Sequence, residues 1–570
     1  MSTSSNELKG RASAWQANDP DPETAAEIGR MLSEDNVQAL SVAFGPRLQF
    51  GTAGLRGRLG PGPAQMNRVL VRQVATGLGD YVGGLGLSRT AVIGFDGRKN
   101  SAVFAADSAR VLAAKGFRVF LYEQVVATPV LSHAVVELGV SVGIMVTASH
   151  NPPQDNGYKV YWGNGAQIIP PHDAGISAAI DQATVPDLAS LSSLVASGAV
   201  SSVPADCLEN YYQSILALRV QPVTGAKAIY TAMHGVGGRF VVEALRRAGH
   251  VDLIPEPSQF DPDGAFPTVA FPNPEEPGAM DRSLALAVSE NADVVLANDP
   301  DADRLAVGVR RPDGSYQMLS GNEVGLLLAE TLLKNGAGQP KPMVATTIVS
   351  STMLQKIATA HGAQYTETLT GFKWIANQAI EHDASGGAFV LGFEEALGYS
   401  VGSVVRDKDG VSALLLILDL ASVEKAAGRT LLHTLEDLYR HYGLFLSEQV
   451  AFKLPGSEGA KQIDALMKNL RDNAPDQFGE LAVVSRTDLL SGSCIQNSVE
   501  SRVALPSSNV LAFVLEDGSR VLARPSGTEP KIKFYFEVQA PVVSTLAAAK
   551  ACAQAKLVIL KEALLQSVGL

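Results

Sequence analysis

The sequence predicts an α/β protein: three related mixed α/β domains followed by a smaller α+β domain. Three observations carry that expectation. Short apolar, strand-like runs alternate with helix-length segments, the pattern of a sheet with helical crossovers. The alternation occurs three times, and each round ends in a polar cluster. Beyond about Phe445 it gives way to strands with a single closing helix. A chain of 570 residues is too long for one core, and typical domain sizes imply about three to five domains.

The first 45 or so residues are polar and helix-like, and lead into Phe50–Gly57. Then come a predicted strand Ala91–Phe95, helix Ser101–Lys115, strand Arg118–Tyr122, helix Pro129–Leu138 and strand Val142–Val146, which runs into Thr147-Ala148-Ser149-His150-Asn151-Pro152. The glycines of Gly83-Gly84-Leu85-Gly86 read as a loop without a dinucleotide fingerprint, and the serine-rich Ser192–Ser202 as a loop near the first domain boundary. The second round predicts strand Lys227–Thr231, helix Gly238–Ala248, strand Val251–Ile254, helix Asp281–Asn291 and strand Asp293–Ala297, ending in Asn298–Arg304. In the third, Met343–Thr347, Gln364–Glu367 and Ala388–Leu391 are strands, Ser351–His361 and Trp374–His382 helices, and Gly392–Tyr399 the terminal cluster. The last part predicts strands Ala482–Ser485, Val510–Leu515 and Lys531–Val538 and helix Ser544–Ser567, with a polar loop at Arg524–Lys531. Domain spans of 1–210, 211–325, 326–445 and 446–570 follow. Ligands of open α/β sheets bind beyond the carboxyl ends of the strands, so three such loops can surround one shared site.

Composition narrows the function. With 46% apolar and 18% charged residues the chain reads as a globular enzyme, and a net charge of −12 argues against a general nucleic-acid partner. Cys207, Cys494 and Cys552 are scattered, without a zinc or disulfide spacing. No apolar run approaches a membrane span, so a cytoplasmic protein without a membrane partner is expected. Oligomeric state has no signature here.

The loops carry the chemistry. Asp299, Asp301 and Asp303 alternate, so in an extended turn their carboxylates converge on one hard cation, with Mg²⁺ or Ca²⁺ favoured over zinc; a solvated acidic turn is the alternative. An EF-hand is excluded, because Arg304 and Arg310 stand where its glycine and glutamate belong. Ser149 has His150 beside it and Lys159 ten residues on. A serine stored as a phosphate ester is a phosphoryl donor, and Lys159 or His150 could move the proton of an accepting hydroxyl; the other reading is an ordinary loop. Arg524, Ser526, Gly527, Thr528 and Lys531 suit a phosphate, or else a surface turn. Glu394 and Glu395 suit sugar hydroxyls, or one of them caps a following helix. Arg56 could hold a phosphoserine or belong to a structural turn, and Arg304 offers charge to a phosphate oxygen. Thr370, Gly371 and Lys373 are candidate sugar or phosphate contacts, or a helix start. There is no Walker A loop and no G-x-S-x-G elbow.

Together these segments resemble the α-D-phosphohexomutase superfamily over nearly the whole chain. Thr147–Pro152 with Asn156–Lys159 resembles its serine loop, Asp299–Arg304 its metal loop, Phe393–Tyr399 its sugar loop and Arg524–Lys531 its phosphate loop. Phe50–Gly57, Gln154–Asn164, Asn298–Val307 and Leu369–Trp374 look closest to the phosphoglucomutase/phosphopentomutase branch. The resemblance implies a central cleft and a TATA-binding-protein-like fourth domain. It implies a mutase moving phosphate between sugar hydroxyls through phospho-Ser149, with Mg²⁺ on Asp299, Asp301, Asp303 and the Ser149 phosphate. Lys159 is then the general acid/base, and a sugar bisphosphate the intermediate and activator. Phosphoglucomutase is the leading expectation. Phosphopentomutase, phosphomannomutase and bisphosphate synthase are alternatives within the class; a phosphatase and a non-catalytic phosphosugar binder lie outside it. One departure bears on the sugar: Ala396 stands where many hexose-phosphate mutases have serine.

Overall fold

The structure is a computed structural model that describes residues 5–51, 54–336, 338–454, 456–526 and 531–569. It contains four sheets, three built to one plan. The first runs Gly54–Arg58, Asp155–Trp162, Val142–Val146, Thr90–Phe95, Arg118–Leu121, Val200–Ser202. Its last four strands are parallel, and Val142–Val146 pairs antiparallel with Asp155–Trp162. In the second sheet, Leu253–Pro255, Ala228–Thr231 and Val294–Ala297 are parallel, and Val294–Ala297 pairs antiparallel with Ala306–Arg310. The third repeats this: Gln364–Thr368, Pro342–Thr347 and Ala388–Glu394 are parallel, with Gly398–Val401 antiparallel to the last.

This repetition is what positions the site. In each unit the last parallel strand turns straight back into an antiparallel neighbour, so the loop at its carboxyl end is held at both ends by ladder hydrogen bonds. The parallel strands are apolar on both faces and buried, as Val142–Val146 and Val294–Ala297 show along their whole length. The helix Gly410–Ala426 lies buried over most of its surface, started by Asp409, whose carboxylate accepts the N–H groups of Val411 and Ser412. The fourth sheet is antiparallel throughout its main path, from Leu444–Lys453 through Lys531–Ala540, Arg520–Pro525, Leu511–Leu515 and Leu481–Asp488 to the hairpin Ser493–Arg502. The 23-residue helix Leu546–Val568 packs on it.

The N-terminal segment forms three helices, Ser5–Asn18, Pro22–Ser33 and Val37–Ala43, around a small core of Leu8, Ala12, Ile28, Leu40 and Phe44. Arg68 ties them to the first unit by donating to the Pro20 carbonyl at 3.0 Å. Two loop expectations are corrected. Ser192–Ser202 contains a helix, Leu191–Ala196, and an edge strand, Val200–Ser202. Leu191, Leu194 and Val200 supply apolar contacts that the surrounding serines mask, and Ser190 caps the helix. Gly83 and Gly84 end the helix Arg68–Gly84, with the left-handed Gly86 just beyond. Among the described residues no helix is long and apolar enough to cross a membrane.

The fourth sheet is docked to the third unit through Arg520, which donates to Glu367 Oε1 at 3.0 Å, to the Ser350 carbonyl at 2.7 Å and to Glu537 Oε2 at 3.0 Å. Glu537 in turn accepts the Ser351 hydroxyl at 2.8 Å and the Thr352 N–H at 2.9 Å.

Backbone packing around the second unit's loop is close. A Cβ on Gly410 would lie 2.3 Å from the Arg304 carbonyl and 2.6 Å from Asn298 Nδ2. Gly410→Ala is therefore expected to cost about 1–3 kcal/mol, read as a lower urea midpoint at unchanged m-value.

Candidate functional site

Three of the sequence-predicted loops meet at one point. Ser149 stands in the left-handed region at φ 51°, a conformation a non-glycine residue keeps only when its surroundings impose it. The imposing group is Arg98. It is buried and donates to the backbone carbonyls of Ser149, Asn151 (2.6 Å), Pro152 (2.8 Å) and Asp155 (3.2 Å). Asp96 Oδ2 lies 3.2 Å from its Nε, and the Phe266 ring of the second unit covers the guanidinium at 4.8 Å. The Ser149 N–H is taken by Thr147 Oγ1 at 2.9 Å. So held, the Ser149 hydroxyl donates to Asp299 Oδ2 at 2.7 Å, and His150 Nδ1 lies 3.2 Å from Ser149 Oγ.

The aspartates of the second unit are fully buried, and their ligand oxygens lie within 4.8 Å of one another. Buried carboxylates this close need positive charge. Lys159, from the antiparallel partner strand of the first unit, donates to Asp301 Oδ2 at 2.6 Å and Asp303 Oδ2 at 3.0 Å. Lys408, from the third unit, lies 3.2 Å from Asp303 Oδ2 and 3.0 Å from Asp407 Oδ1. Thr128 closes the first unit onto the same loop: its hydroxyl donates to Asp301 Oδ2 at 2.6 Å and its N–H to the Asp301 carbonyl at 2.9 Å. The third unit reaches the loop through the Leu305 N–H, which bonds the Leu397 carbonyl at 3.0 Å.

Electrostatics follow from this crowding. Burial drives the Asp299 pKa well above the carboxylate range, and repulsion by Asp301 and Asp303 adds to the rise. Burial acts the same way on Asp301, but Lys159 outweighs it and holds that carboxyl below its ordinary value. For Lys159, burial favours the neutral amine, and Asp301 and Asp303 overcome it to keep the ammonium. His150 is pushed well below its ordinary pKa by burial, then by Arg304 and Arg56, so it is neutral. Among the described residues, Asp301 Oδ1 and Asp303 Oδ1 find no hydrogen-bond partner, although both are buried. Unpartnered buried carboxylate oxygens in an all-oxygen cluster are what a divalent cation would complete, so the residues present fit a metal ion.

Around this centre the remaining candidates fall into place. Arg56 is open to solvent and donates from Nη1 to Asn151 Oδ1 at 3.0 Å. Arg304 Nε lies 3.9 Å from both Asp299 Oδ2 and Asp303 Oδ1, too far for a hydrogen bond to either. Glu394 Oε1 accepts the Gly371 N–H at 2.8 Å, at the start of the earlier helix Phe372–Ala384 and not of a following one. Glu395 accepts the Ser350 hydroxyl at 3.0 Å. Thr370 is half-buried beside Gly371. Lys373 is buried, with Nζ 5.0 Å from the Trp374 ring; burial pushes its pKa down to about 8 and Asp173 opposes that. In the fourth sheet Arg524 pairs in register with Lys533, and the Ser526 N–H bonds the Lys531 carbonyl at 2.7 Å, closing the loop between them. Gly527 and Thr528 lie outside the described residues. Burial and then Lys531 lower the Lys533 pKa, while Glu395 of the third unit acts against them.

Arg98, Thr128 and Lys408 were missed in the sequence. Asp96-Gly97-Arg98 follows the strand Thr90–Phe95, so the strand-end rule that selected the other loops applies to it as well. Lys408 sits in Arg406-Asp407-Lys408-Asp409, which reads as a solvated charge run but is mostly buried.

Models of the phosphoglucomutase/phosphomannomutase family match in sequence order: alpha/beta/alpha domain I at residues 47–186, domain II at 209–314, domain III at 320–442 and the C-terminal domain at 450–551. A probable phosphomannomutase of Haemophilus influenzae is 41% identical over 83% of this chain and 93% of its own. The phosphopentomutase of Homo sapiens is 37% identical over 94% of this chain and 92% of its own. Among solved structures, the Paramecium phosphoglucomutase parafusin in its open form superposes with a TM-score of 0.69 at 18% identity, covering 92% of this chain and 96% of its own, a likeness of fold.

Removing Arg98 would leave Asp96 buried without its cationic partner and take a donor from the carbonyls of Ser149, Asn151, Pro152 and Asp155. Arg98→Ala is expected to cost about 3 kcal/mol, measured by chemical denaturation.

Proposed function

The chain belongs to the phosphoglucomutase/phosphomannomutase family, and from that premise we propose that it is a phosphosugar mutase interconverting a sugar 1-phosphate and its 6- or 5-phosphate through phospho-Ser149. The observation that carries this reading is the Ser149 hydroxyl on Asp299 at 2.7 Å, inside a cluster supplied by three units.

In the cycle, phospho-Ser149 faces the free hydroxyl of a sugar 1-phosphate held by Arg524, Ser526, Thr528 and Lys531. The bond from phosphorus to Ser149 Oγ breaks as one to the sugar oxygen forms. The hydroxyl proton passes to His150, which stands neutral, while Lys159, which stands charged, gives a proton to Ser149 Oγ as it leaves phosphorus; the return transfer reverses both proton movements. The sugar bisphosphate turns within the cleft and returns its other phosphoryl group to Ser149. Arg56 and Arg304 hold phosphate oxygens, while Thr370, Gly371, Lys373, Glu394 and Glu395 line the sugar. Asp299, Asp301 and Asp303, with the serine phosphate, would hold Mg²⁺, which when bound neutralises charge on the transferring group. A trace of sugar bisphosphate primes the serine and so activates the enzyme. The partner is a small phosphosugar and the setting the cytoplasm, in keeping with three free cysteines at separate positions.

Glucose 1-phosphate is the leading substrate. Pentose 1-phosphate is the second reading, supported by Ala396 in the glutamate loop and by the similarity to a phosphopentomutase.

A turnover panel of glucose, ribose, deoxyribose and mannose 1-phosphates, with Mg²⁺ and a trace of bisphosphate, tests the reading. Isomer formation is expected, with Ser149→Ala falling to about one-thousandth or less and losing the one-phosphoryl mass increment. Free phosphate released in place of isomer would identify a phosphatase instead. Asp301→Asn is expected to raise the Mg²⁺ concentration for half-maximal turnover at least about tenfold.

A further inference from the structure

The helix Thr128–Glu137 of the first unit begins against the aspartate loop of the second, and it begins without a cap of its own. Ala127 stands where serine, asparagine or aspartate usually takes a free helix-end N–H, and it offers no side-chain acceptor. Asp301 supplies acceptors from across the seam. Its carbonyl takes the Thr128 N–H at 2.9 Å, and its Oδ2 takes the Thr128 hydroxyl at 2.6 Å. Ala127, Thr128 and Asp301 are all fully buried, so water does not compete for either bond.

These bonds sort the oxygens of the cluster. Asp301 Oδ2 accepts both the Thr128 hydroxyl and the Lys159 ammonium, each at 2.6 Å. Asp303 Oδ2 accepts Lys159 at 3.0 Å and has the Lys408 ammonium at 3.2 Å. The Oδ1 atoms of the same two aspartates are buried and, among the described residues, have no hydrogen-bond partner. An aspartate's terminal torsion is broad and roughly two-fold, so its own rotamer preference does not decide which oxygen is left bare. The outside donors decide it. Lys159 is shared between two aspartates and carries its charge on a flexible stem. Thr128 is fixed by its branched side chain, its helix and its own N–H bond to the Asp301 backbone.

We infer that Thr128 is a positioning residue for the metal: its hydroxyl holds Asp301 Oδ2, so that Oδ1 is the oxygen offered to the divalent cation. This rests on the reading above in which Asp299, Asp301 and Asp303 hold Mg²⁺. A hydroxyl on Oδ2 fixes the carboxylate's direction before an ion arrives, and a ligand already oriented loses less freedom on binding. Because Thr128 belongs to the first unit and Asp301 to the second, ion affinity then depends on how those two units dock. Thr128 has no part in the proton or phosphoryl transfers of the proposed cycle; it acts through Asp301. The sequence conceals the role, since Thr128-Pro129 reads as an ordinary helix start and the partner lies 173 positions away.

The test is calorimetric binding of Mn²⁺ to metal-stripped protein without sugar, with Ser149 phosphorylation matched between samples by intact mass. Thr128→Val keeps the side chain's shape and removes the hydroxyl; Thr128→Ser keeps the hydroxyl and removes the methyl. Thr128→Val is expected to raise the Mn²⁺ Kd about tenfold or more, with Thr128→Ser within about threefold of the parent. Thermal midpoints in EDTA report the fold independently. A joint that is only structural would lower the Thr128→Val midpoint and leave its Kd unchanged. Should the valine variant not fold, Thr128→Ala takes its place against the same serine control. A Kd within about threefold of the parent in the variant lacking the hydroxyl, or an equal loss in Thr128→Ser, would overturn the inference. If the parent itself binds no Mn²⁺, the metal assignment fails and this inference with it. A parent that binds Mn²⁺ while Thr128→Val matches it leaves the metal assignment standing and removes only the role of Thr128.

Discussion

Three aspartates with no access to water, crowded within a few ångströms, are the constraint on which this architecture depends. Left alone they would repel one another and protonate. They remain a usable cluster because Lys159 comes from one unit and Lys408 from another, each bringing its ammonium onto the second unit's loop. Charge neutralisation is thus also domain assembly. The Thr128 contacts to Asp301 and the Leu305–Leu397 bond then add neutral hydrogen bonds to the same junction. A buried ion pair contributes little net stability compared with apolar packing, so this arrangement is better understood as specifying geometry for chemistry.

The same economy explains the serine loop. A left-handed serine is costly, and the cost is borne by one buried arginine that gathers carbonyls from both sides of the turn. Because Phe266 lies over that arginine, the second unit supports the serine loop from behind while its aspartates face the hydroxyl. The nucleophile's orientation and the acidic cluster are therefore set by one inter-unit contact surface. The fourth sheet is attached differently. Its polar anchor is Arg520 with Glu537 on the Ser350–Thr352 turn, alongside an apolar patch that includes Ile348, Leu369, Leu522 and Tyr535. It can present its cationic loop to the cleft without sharing the buried charge cluster.

Most of the fold was legible because buried parallel strands are continuous apolar runs, and those at Val142–Val146 and Val294–Ala297 were located to the residue or nearly so. The antiparallel return strands were not read, since Asp155–Trp162 mixes polar and apolar residues and shows its role only in pairing. Nor was the helix in Ser192–Ser202, where serine content hid a few well-spaced apolar residues. In the site, alternation exposed the aspartates. Lys159 was legible as a candidate, but not its contact with Asp301, 142 positions away. Arg98 escaped because its hydrogen bonds go to backbone carbonyls, which have no signature in a sequence. Lys408 escaped because buried charge runs and solvated ones are spelled alike.

The central claim is that a phosphate carried by Ser149 shares a divalent ion with Asp299, Asp301 and Asp303. Manganese can stand in for magnesium at an all-oxygen site and relaxes nearby phosphorus nuclei. A phosphorus NMR titration of the phosphorylated protein with Mn²⁺ therefore addresses the claim directly. The phosphoserine resonance should broaden beyond detection at one equivalent and stay sharp in Asp301→Asn. A resonance that remains sharp in the parent protein while Mn²⁺ is fully bound would contradict it.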